Sequence, residues 1–262
     1  MKEKANPEPT VAKDEIKEIS VSRRRTLLQA AVAGGVVAGT ALGAGVGSAA
    51  ARSHRPPGAR RPTTPAAALL ELKAGNQRWS TLGQVHPREG VLARQQATLG
   101  QAPWAIIVGC IDSRVPPELI FDQGLGDLFV TRTAGQVLDS AVYGSVSYAV
   151  TKLNVPLVVV LGHEDCGAVT TAQKVLDGVP NLGLTPRLAH TIHQIVPAVE
   201  ADPATPNRLN RSINNNVRMI RSTLLRENDI AQRVALGTLA VIGARYDLGT
   251  TQFTQIEPPP TR

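Results

Sequence analysis

The sequence predicts an α/β fold, a single domain with a mainly parallel central sheet flanked by helices. Short, continuous apolar runs recur along the chain, as is typical of strands that are covered on both faces. Stretches with helical character lie between those runs, and strands that alternate with helices indicate a parallel sheet. No internal repeat or second composition class interrupts residues 66–257. We therefore predict one domain over that range.

Four apolar runs are predicted as the strands of this sheet. They cover residues 104–109, 128–132, 157–161 and 238–242. Each is short and bounded by polar or turn-forming residues, which favours a strand over a buried helix. We expect all four strands to be buried on both faces.

Four other stretches are predicted as helices. They cover residues 66–78, 140–153, 186–200 and 207–225. In the first of them Leu69, Leu70, Leu72 and Trp79 fall on roughly one side, so that side is expected to face the core.

The net charge of +7 does not belong to the predicted domain. Residues 1–61 hold 11 Lys and Arg against 5 Asp and Glu, whereas residues 62–262 hold 17 against 16. A nucleic-acid surface needs clustered cations on the folded part, so we predict no nucleic-acid partner. The last predicted helix and its end are rich in arginine, which we expect to solvate that face or to pair with acidic side chains. These arginines are at positions 208, 211, 218, 221 and 226.

The N-terminal 51 residues read as an export signal. A polar, mixed-charge segment is followed by three arginines in residues 22–28, an apolar stretch rich in Gly and Ala, and small residues at 48–51. The paired arginines resemble a twin-arginine leader, although Thr26 stands where such leaders often carry Phe. The apolar stretch is short of Leu and Ile, which favours cleavage near Ala50 or Ala51 over a retained membrane anchor. We expect an exported protein, periplasmic or extracellular, that meets the membrane only transiently, with a linker at 52–65 and a tail at 258–262.

The only two cysteines lie in two short motifs that can together hold one zinc ion. Cys110 follows the first predicted strand, and His163 and Cys166 follow the third. Two thiolates and one imidazole are the ligand count of a catalytic zinc site, which keeps a fourth position for water or substrate. The ends of parallel strands are also where α/β folds bind ligands. Zinc would acidify its water ligand and provide a nucleophilic hydroxide near neutral pH.

Asp112 lies two residues after Cys110 and can reach the same ion. It can accept a hydrogen bond from the zinc hydroxide and orient it, or it can itself take the fourth position and close the site. Arg114 matches a carboxylate with two parallel hydrogen bonds, so pairing with Arg114 would draw Asp112 off the metal.

The motif Cys-x-Asp-Ser-Arg at 110–114, followed by Gly-His-x-x-Cys-Gly-Ala at 162–168, resembles the β-class carbonic anhydrases. The similarity extends over about residues 66–255. Further matching segments are residues 72–79, 117–121, 126–135 and 243–247. Gln136 departs from the pattern, since an Asn usually follows Ala-Gly there, and we expect only a local adjustment from this change.

The resemblance implies a fold like that of these enzymes and the reversible hydration of CO2 to bicarbonate and a proton. It implies one zinc ion per chain, bound by Cys110, His163 and Cys166, with Asp112 a further ligand in a closed form and Asp112 and Arg114 forming a catalytic dyad. It also implies a homodimer or higher homo-oligomer whose CO2 pocket crosses the subunit interface. The pocket residues that it assigns are Gln101, Phe129 and Tyr148.

Other functions remain open at this point. A zinc hydrolase of the same fold could act on carbonyl sulfide or carbon disulfide, because pocket shape decides between these substrates and CO2. A zinc site whose fourth position is permanently occupied by Asp112 would be structural and not catalytic. A non-catalytic metal-binding or thiol redox protein is the remaining alternative, and in its redox form Cys110 and Cys166 would form a disulfide.

Overall fold

The computed structural model describes residues 61–256. The predicted export signal, most of the linker and the tail lie outside the described residues. The first helix, α1 (Pro65–Ser80), begins one residue earlier than predicted, because Thr64 caps it by accepting a hydrogen bond from the Ala67 backbone and Pro65 occupies the first turn. The predicted linker therefore ends in a helix cap. Among the described residues, no helix combines the length and apolar character that a bilayer span requires.

The central sheet has five strands in the order β2-β1-β3-β4-β5. The first four are parallel, and the last is antiparallel to its neighbour. The predicted mainly parallel α/β fold is therefore confirmed. The strands are β1 (Ala105–Cys110), β2 (Leu128–Thr133), β3 (Leu157–His163), β4 (Ala240–Tyr246) and β5 (Phe253–Ile256).

Helices cover both faces of this sheet. Besides α1, they are α2 (Val91–Ala97), α3 (Pro117–Ile120), α4 (Ser140–Thr151), α5 (Gly167–Leu176), α6 (Pro186–His193), α7 (Arg208–Leu224) and α8 (Asn228–Ala235). One core lies between the sheet and α4, α7 and α8, and the other lies between the sheet and α1 and α3. A third cluster, which includes both cysteines, lies among α5, α6 and α7.

Strand β2 is the clearest correction to the predicted burial. All six of its residues are half-buried, whereas every residue of β1 and β3 is buried. The reason is that β2 is at the edge of the sheet and has a neighbour on one side only. Its first three residues, Leu128–Val130, are as apolar as those of a central strand, which is why the apolar run predicted full burial.

The other differences have local causes. The predicted helix 186–200 ends at His193, and a separate 3-10 turn covers Val196–Ala198, because Pro197 lacks the N–H that a continuing helix needs. The strand predicted at 238–242 is instead Ala240–Tyr246, since Gly243 and Arg245 interrupt the apolar run without ending the strand. The sequence reasoning missed α2, α3, α5, α8 and β5.

Leu70 was wrongly placed on the core-facing side of α1. Its side chain is 66% exposed, whereas that of Leu72 is buried. Residues two apart in a helix lie about 200° apart around its axis, which puts Leu70 on the side opposite Leu72.

Candidate metal centre

The sheet brings the three predicted ligands to one edge. Cys110 is the last residue of β1 and His163 is the last residue of β3, and these strands are parallel neighbours. Cys166 lies three residues beyond His163, at the residue that caps α5. Ligand atoms of the three residues lie within 4.8 Å of one another, and all three residues are buried. Both cysteines are free, so the predicted disulfide alternative is not the state of this structure.

The His163 ring is oriented for ligation through Nε2. Its Nδ1 lies 2.7 Å from the Glu164 carbonyl oxygen, which can only accept, so Nδ1 carries the hydrogen. Nε2 then has a free lone pair. This atom is buried and has no hydrogen-bond partner among the described residues. A buried nitrogen without a partner is costly unless something else binds it, and a metal ion would do so.

The two thiols differ in acidity. The contact with the Cys166 thiol, supported by the nearby His163 ring and by a hydrogen bond from the Gly135 backbone N–H, lowers the pKa of Cys110 to about 4 against the opposing effect of burial. The same contact with Cys110, together with burial, raises the pKa of Cys166. Burial lowers the pKa of His163, but its close contact with Cys110 and the negative charge on that sulfur outweigh burial, so the net shift is upward. The cluster therefore favours negative charge on sulfur beside an imidazole.

Asp112 and Arg114 form the predicted pair. Arg114 Nη2 donates to Asp112 Oδ2 at 2.8 Å, and its Nε donates to Oδ1 at 3.0 Å. The Arg114 backbone N–H adds a third bond to Oδ1 at 2.9 Å. These side-chain and backbone bonds hold the pKa of Asp112 at about 2. The carboxylate lies beside the ligand cluster, with Oδ2 3.9 Å from His163 Nε2.

The turn between the two ligands of the second motif holds this arrangement in place. In the turn between His163 and Cys166, Asp165 has a left-handed backbone with φ of 51°, and its carbonyl accepts a bond from Arg114 at 3.4 Å. Before it, the Glu164 backbone N–H donates to the Tyr246 carbonyl at 2.9 Å, which continues the β3–β4 pairing beyond His163. This turn therefore links the Asp112–Arg114 pair to the second half of the ligand set.

Three residues outside the predicted ligand set support the first motif. Arg132 donates to the Cys110 carbonyl at 2.7 Å and also to the Asp112 carbonyl. Gly135 donates its backbone N–H to Cys110 Sγ at 3.4 Å. Asn216 donates to the Gly135 carbonyl at 2.8 Å, and its side chain is fully buried. Arg132 lies inside a segment noted only for its resemblance, so the available signal for this residue was a family match and not a specific role.

A cavity of about 430 Å³ opens onto the ligand cluster. Cys110 and Asp112 lie at one side of it, and most of the remaining wall is apolar. Leu182, Leu184 and Ile192 belong to that wall, and Lys174 is its one cationic residue among the described lining. A small neutral molecule could therefore approach the cluster through an apolar space.

The three predicted pocket residues do not reach the cluster within one chain. Phe129 and Tyr148 together line a separate groove on the outer side of β2, which shares no lining residue with the cavity at the cluster. Tyr148 is 53% exposed. Gln101 is exposed in the segment before β1 and lines neither space. The structure thus brings Cys110, Asp112, Arg114, His163 and Cys166 together and leaves these three residues apart.

The donor set fits zinc. Two cysteine sulfurs and an imidazole nitrogen are the ligand types that zinc prefers, and three protein ligands leave one position open. The backbone bond on His163 Nδ1 is the kind of supporting contact that fixes the tautomer of a metal-binding histidine.

Comparisons with known proteins point in one direction. A family profile described as carbonic anhydrase matches residues 105–253. The chain is 44% identical over 191 residues to carbonic anhydrase 2 of Mycobacterium tuberculosis, and the match covers 71% of this chain and 90% of that protein. Among solved structures, a β-carbonic anhydrase of Aspergillus fumigatus is 26% identical with a TM-score of 0.52, covering 73% of this chain and 90% of that one. One of two tetrameric β-carbonic anhydrases of Sordaria macrospora has the same fold, at 24% identity and a TM-score of 0.56, covering 62% and 85%.

Proposed function

This chain belongs to the β-class carbonic anhydrase family, and on that basis we propose that it catalyses the reversible hydration of carbon dioxide to bicarbonate and a proton. The observation that carries the proposal is the cluster of Cys110, His163 and Cys166 beside the paired Asp112 and Arg114. Relatives named carbonic anhydrase match this chain over 90% of their own length. No feature of residues 61–256 favours the sulfur-substrate or non-catalytic alternatives.

We propose that Cys110, His163 and Cys166 hold one zinc ion per chain. Zinc bound by three protein ligands lowers the pKa of a bound water to about 7, which supplies a nucleophile at neutral pH. The protein supports this chemistry by presenting His163 Nε2 without a competing hydrogen bond and by shielding both sulfurs from solvent.

Asp112 is the residue that accepts a hydrogen bond from the nucleophilic water and so orients it. Its carboxylate stays ionised because Arg114 and the backbone satisfy it from one side. Oδ2 retains a further lone pair on the side that faces the cluster, where it can accept a hydrogen bond from water. Arg114 acts through Asp112, since its two bonds hold the carboxylate in place and away from the fourth position of the metal.

The apolar cavity suits a small neutral substrate. Carbon dioxide carries no net charge, so it can enter a space lined by side chains such as Leu182 and Leu184 without the desolvation cost that an ion would have. The charged product leaves past the exposed Lys174. The cavity next to the cluster therefore suits both the neutral substrate, through its apolar wall, and the anionic product, through Lys174.

The test is stopped-flow CO2 hydration by the purified protein, with zinc counted per chain on the same sample. We expect turnover at close to one zinc per chain and its loss after chelation, with recovery when zinc is returned. His163→Ala should lose zinc and turnover together, because it removes one of three ligands. His193→Ala is the matched control, since that histidine is exposed on α6 and is bonded to its own helix. Full zinc content in His163→Ala, or one zinc without hydration in the wild type, would refute the assignment.

We further propose that the protein works as a homodimer or a larger assembly built on β2. Every residue of this edge strand is half-buried, and α2 has no buried residue, with Val91 and Leu92 largely exposed. A second copy that covers these surfaces could bring its own Gln101, Phe129 and Tyr148 to the cluster, which would complete the pocket. Mass measurement by light scattering should give at least twice the chain mass. Leu92→Asp should lower both the mass and the turnover. Leu236→Asp changes an exposed leucine in another region, at 75% exposure against 64% for Leu92, and should change neither.

We also propose that residues 1–51 direct export. The proposal rests on the order of charged, apolar and small residues in the sequence. Cell fractionation should find the mature protein outside the cytoplasm, and Arg23→Lys with Arg24→Lys should retain it inside. Unchanged export of that double variant would contradict a twin-arginine route.

A further inference from the structure

A short turn with an uncommon backbone lies behind Cys110. Residues Ala134–Gln136 follow β2 as a single 3-10 turn, here called the Gly135 turn, and Ala134 lines the cavity at the ligand cluster. Gly135 and Gln136 both have a left-handed backbone, with φ of 63° and 58°. Glycine loses more conformational freedom on folding than any other residue, and a left-handed backbone is costly for glutamine. The Gly135 turn therefore needs contacts from outside to keep this one conformation.

An outside contact of this kind comes from Asn216 of α7. Its Nδ2 donates to the Gly135 carbonyl at 2.8 Å and to Gln136 Oε1 at 3.3 Å. One amide group therefore holds both left-handed residues of the turn. The helix that carries Asn216 is itself fixed, because the next residue, Val217, is buried and packs against β3 where Gly162 leaves room for it.

The Gly135 turn carries a hydrogen bond to a predicted metal ligand. The Gly135 backbone N–H donates to Cys110 Sγ at 3.4 Å, and the carbonyl of the same residue accepts from Asn216. The two polar groups of one glycine thus connect the amide to the sulfur. A hydrogen bond to a thiolate favours its anionic form and reduces the electron density that it donates to a metal. Asn216 can therefore influence Cys110 without contacting it.

The burial of Asn216 indicates a role other than packing. Its side chain is fully buried, and Oδ1 has no hydrogen-bond partner among the described residues. A buried polar atom without a partner destabilises the folded protein, and an apolar side chain of similar size would avoid this cost. Asn216 is therefore a poor residue for filling space in the core. What its amide provides is the contact with the Gly135 turn.

We propose that Asn216 is a positioning residue of the metal centre. By holding the Gly135 turn it keeps the Gly135 N–H on Cys110 Sγ, and through this bond it controls how firmly the three ligands retain zinc. The inference rests on the proposed zinc site. It assigns a role in metal retention to α7, which supplies none of the three ligands, and to a side chain that does not line the cavity at the cluster.

The experiment measures the zinc affinity of the purified protein by competition with a chelator. Asn216→Leu removes the donor at about the same side-chain size, and Asn216→Ala removes it without added bulk. We expect the zinc dissociation constant of both variants to rise about 10- to 100-fold, the range found when a supporting partner of a metal ligand is lost. Wild-type protein that binds no zinc would overturn the proposed metal site and this inference together. Equally tight zinc binding by the wild type and both variants would overturn this inference alone.

A spectroscopic measurement distinguishes loss of the bond to sulfur from a general loosening of the fold. Cobalt(II) in place of zinc gives thiolate-to-metal charge-transfer absorption in the near ultraviolet. A sulfur that loses an N–H bond holds its electrons less tightly, so this band should move to longer wavelength in Asn216→Leu and Asn216→Ala. Lower affinity with an unchanged band would mean that Asn216 acts only through the stability of the fold, and would overturn the proposal.

Ser212→Ala is the matched control. Ser212 is one turn earlier in α7 and is also fully buried, and its hydroxyl is hydrogen-bonded to Gln173, Glu200 and Arg208, all of them outside the Gly135 turn. The change removes buried hydrogen bonds of the same helix, and it should leave the zinc affinity and the cobalt band unchanged. Equal losses of affinity in Ser212→Ala and Asn216→Leu would overturn the proposal, because affinity would then follow the stability of α7.

Discussion

Gly162 is the position where the smallest substitution should do the most damage to the metal centre. It directly precedes His163 in β3, and a Cβ at this residue would lie 2.6 Å from a methyl group of Val217 and 3.3 Å from one of Ile213. Carbon atoms pack at about 3.5–4.0 Å, so Gly162→Ala requires α7 or β3 to move by about 1 Å. Overpacking of this kind costs about 1–3 kcal/mol of the free energy of unfolding. At about 2–4 °C per kcal/mol for a domain of this size, Tm should fall by about 2–12 °C.

The matched control is Gly109→Ala. Gly109 directly precedes Cys110 as Gly162 precedes His163, and both glycines are buried in neighbouring strands. The nearest atom to a Cβ at Gly109 is a methyl carbon of Ile107 at 4.0 Å, an ordinary contact. Gly109→Ala should therefore change the free energy of unfolding by less than about 0.5 kcal/mol.

The assay is thermal unfolding at fixed protein and zinc concentrations, because bound zinc itself raises Tm. A double-mutant cycle with Val217→Ala isolates the clash. Val217→Ala alone should cost about 2 kcal/mol, since it removes two buried methyl groups and leaves a cavity. The double variant should cost less than the sum of the two single variants by about 1–2 kcal/mol. Additive costs, or a Gly162→Ala protein as stable as Gly109→Ala, would refute the reasoning from close packing.

Three further predictions concern polar groups. Asp112→Asn should retain zinc and lose at least about a hundredfold in turnover, because an amide cannot replace the carboxylate as the acceptor of the hydrogen bond from water. Wild-type rates in stopped-flow assays would remove Asp112 from the mechanism. Trp79→Phe removes the 2.9 Å hydrogen bond from Nε1 to the Tyr246 hydroxyl and should lower the free energy of unfolding by about 1 kcal/mol. Denaturant titrations measure this change, and an unchanged midpoint of unfolding would show that the bond contributes nothing. Gln136→Asn should raise the free energy of unfolding by about 1 kcal/mol, with activity retained. Asn tolerates the left-handed backbone that Gln136 adopts, with φ of 58°. The change also removes the buried Gln136 Nε2, which has no partner among the described residues. A less stable Gln136→Asn protein would mean that the longer side chain is needed for packing.

The inner strands were predictable because their apolar runs are uninterrupted. β1 and β3 are buried at every residue, and both appear in the sequence as continuous aliphatic runs. β4 was only partly predictable, because Gly243 and Arg245 break its run for reasons that lie elsewhere in the fold. Gly243 makes room for α7, and Arg245 reaches the surface at the end of the strand. Such positions are determined by a neighbouring element and not by the local pattern.

The edge position of β2 was not predictable for a similar reason. Its apolar residues indicate burial on both faces, but strand order depends on pairings that no local pattern specifies. The same residues would be well explained if a second copy covers them. The apolar run in β2 is therefore explained by contact with a second subunit, whereas the sequence reasoning attributed it to burial within one chain.

The ligands themselves were predictable, because each motif is short and directly follows a buried strand, whereas their supports come from distant parts of the chain. Asn216 donates to the Gly135 carbonyl from 81 residues away, and the Gly135 N–H in turn donates to Cys110 Sγ. A side chain added at Gly135 would lie 2.5 Å from Ile195, so this backbone can reach the sulfur only as glycine. The position of α7 therefore controls both the Gly162 contact and the hydrogen bond on Cys110. It follows that a shift of this one helix should disturb the two halves of the ligand set together, although it contributes no ligand of its own.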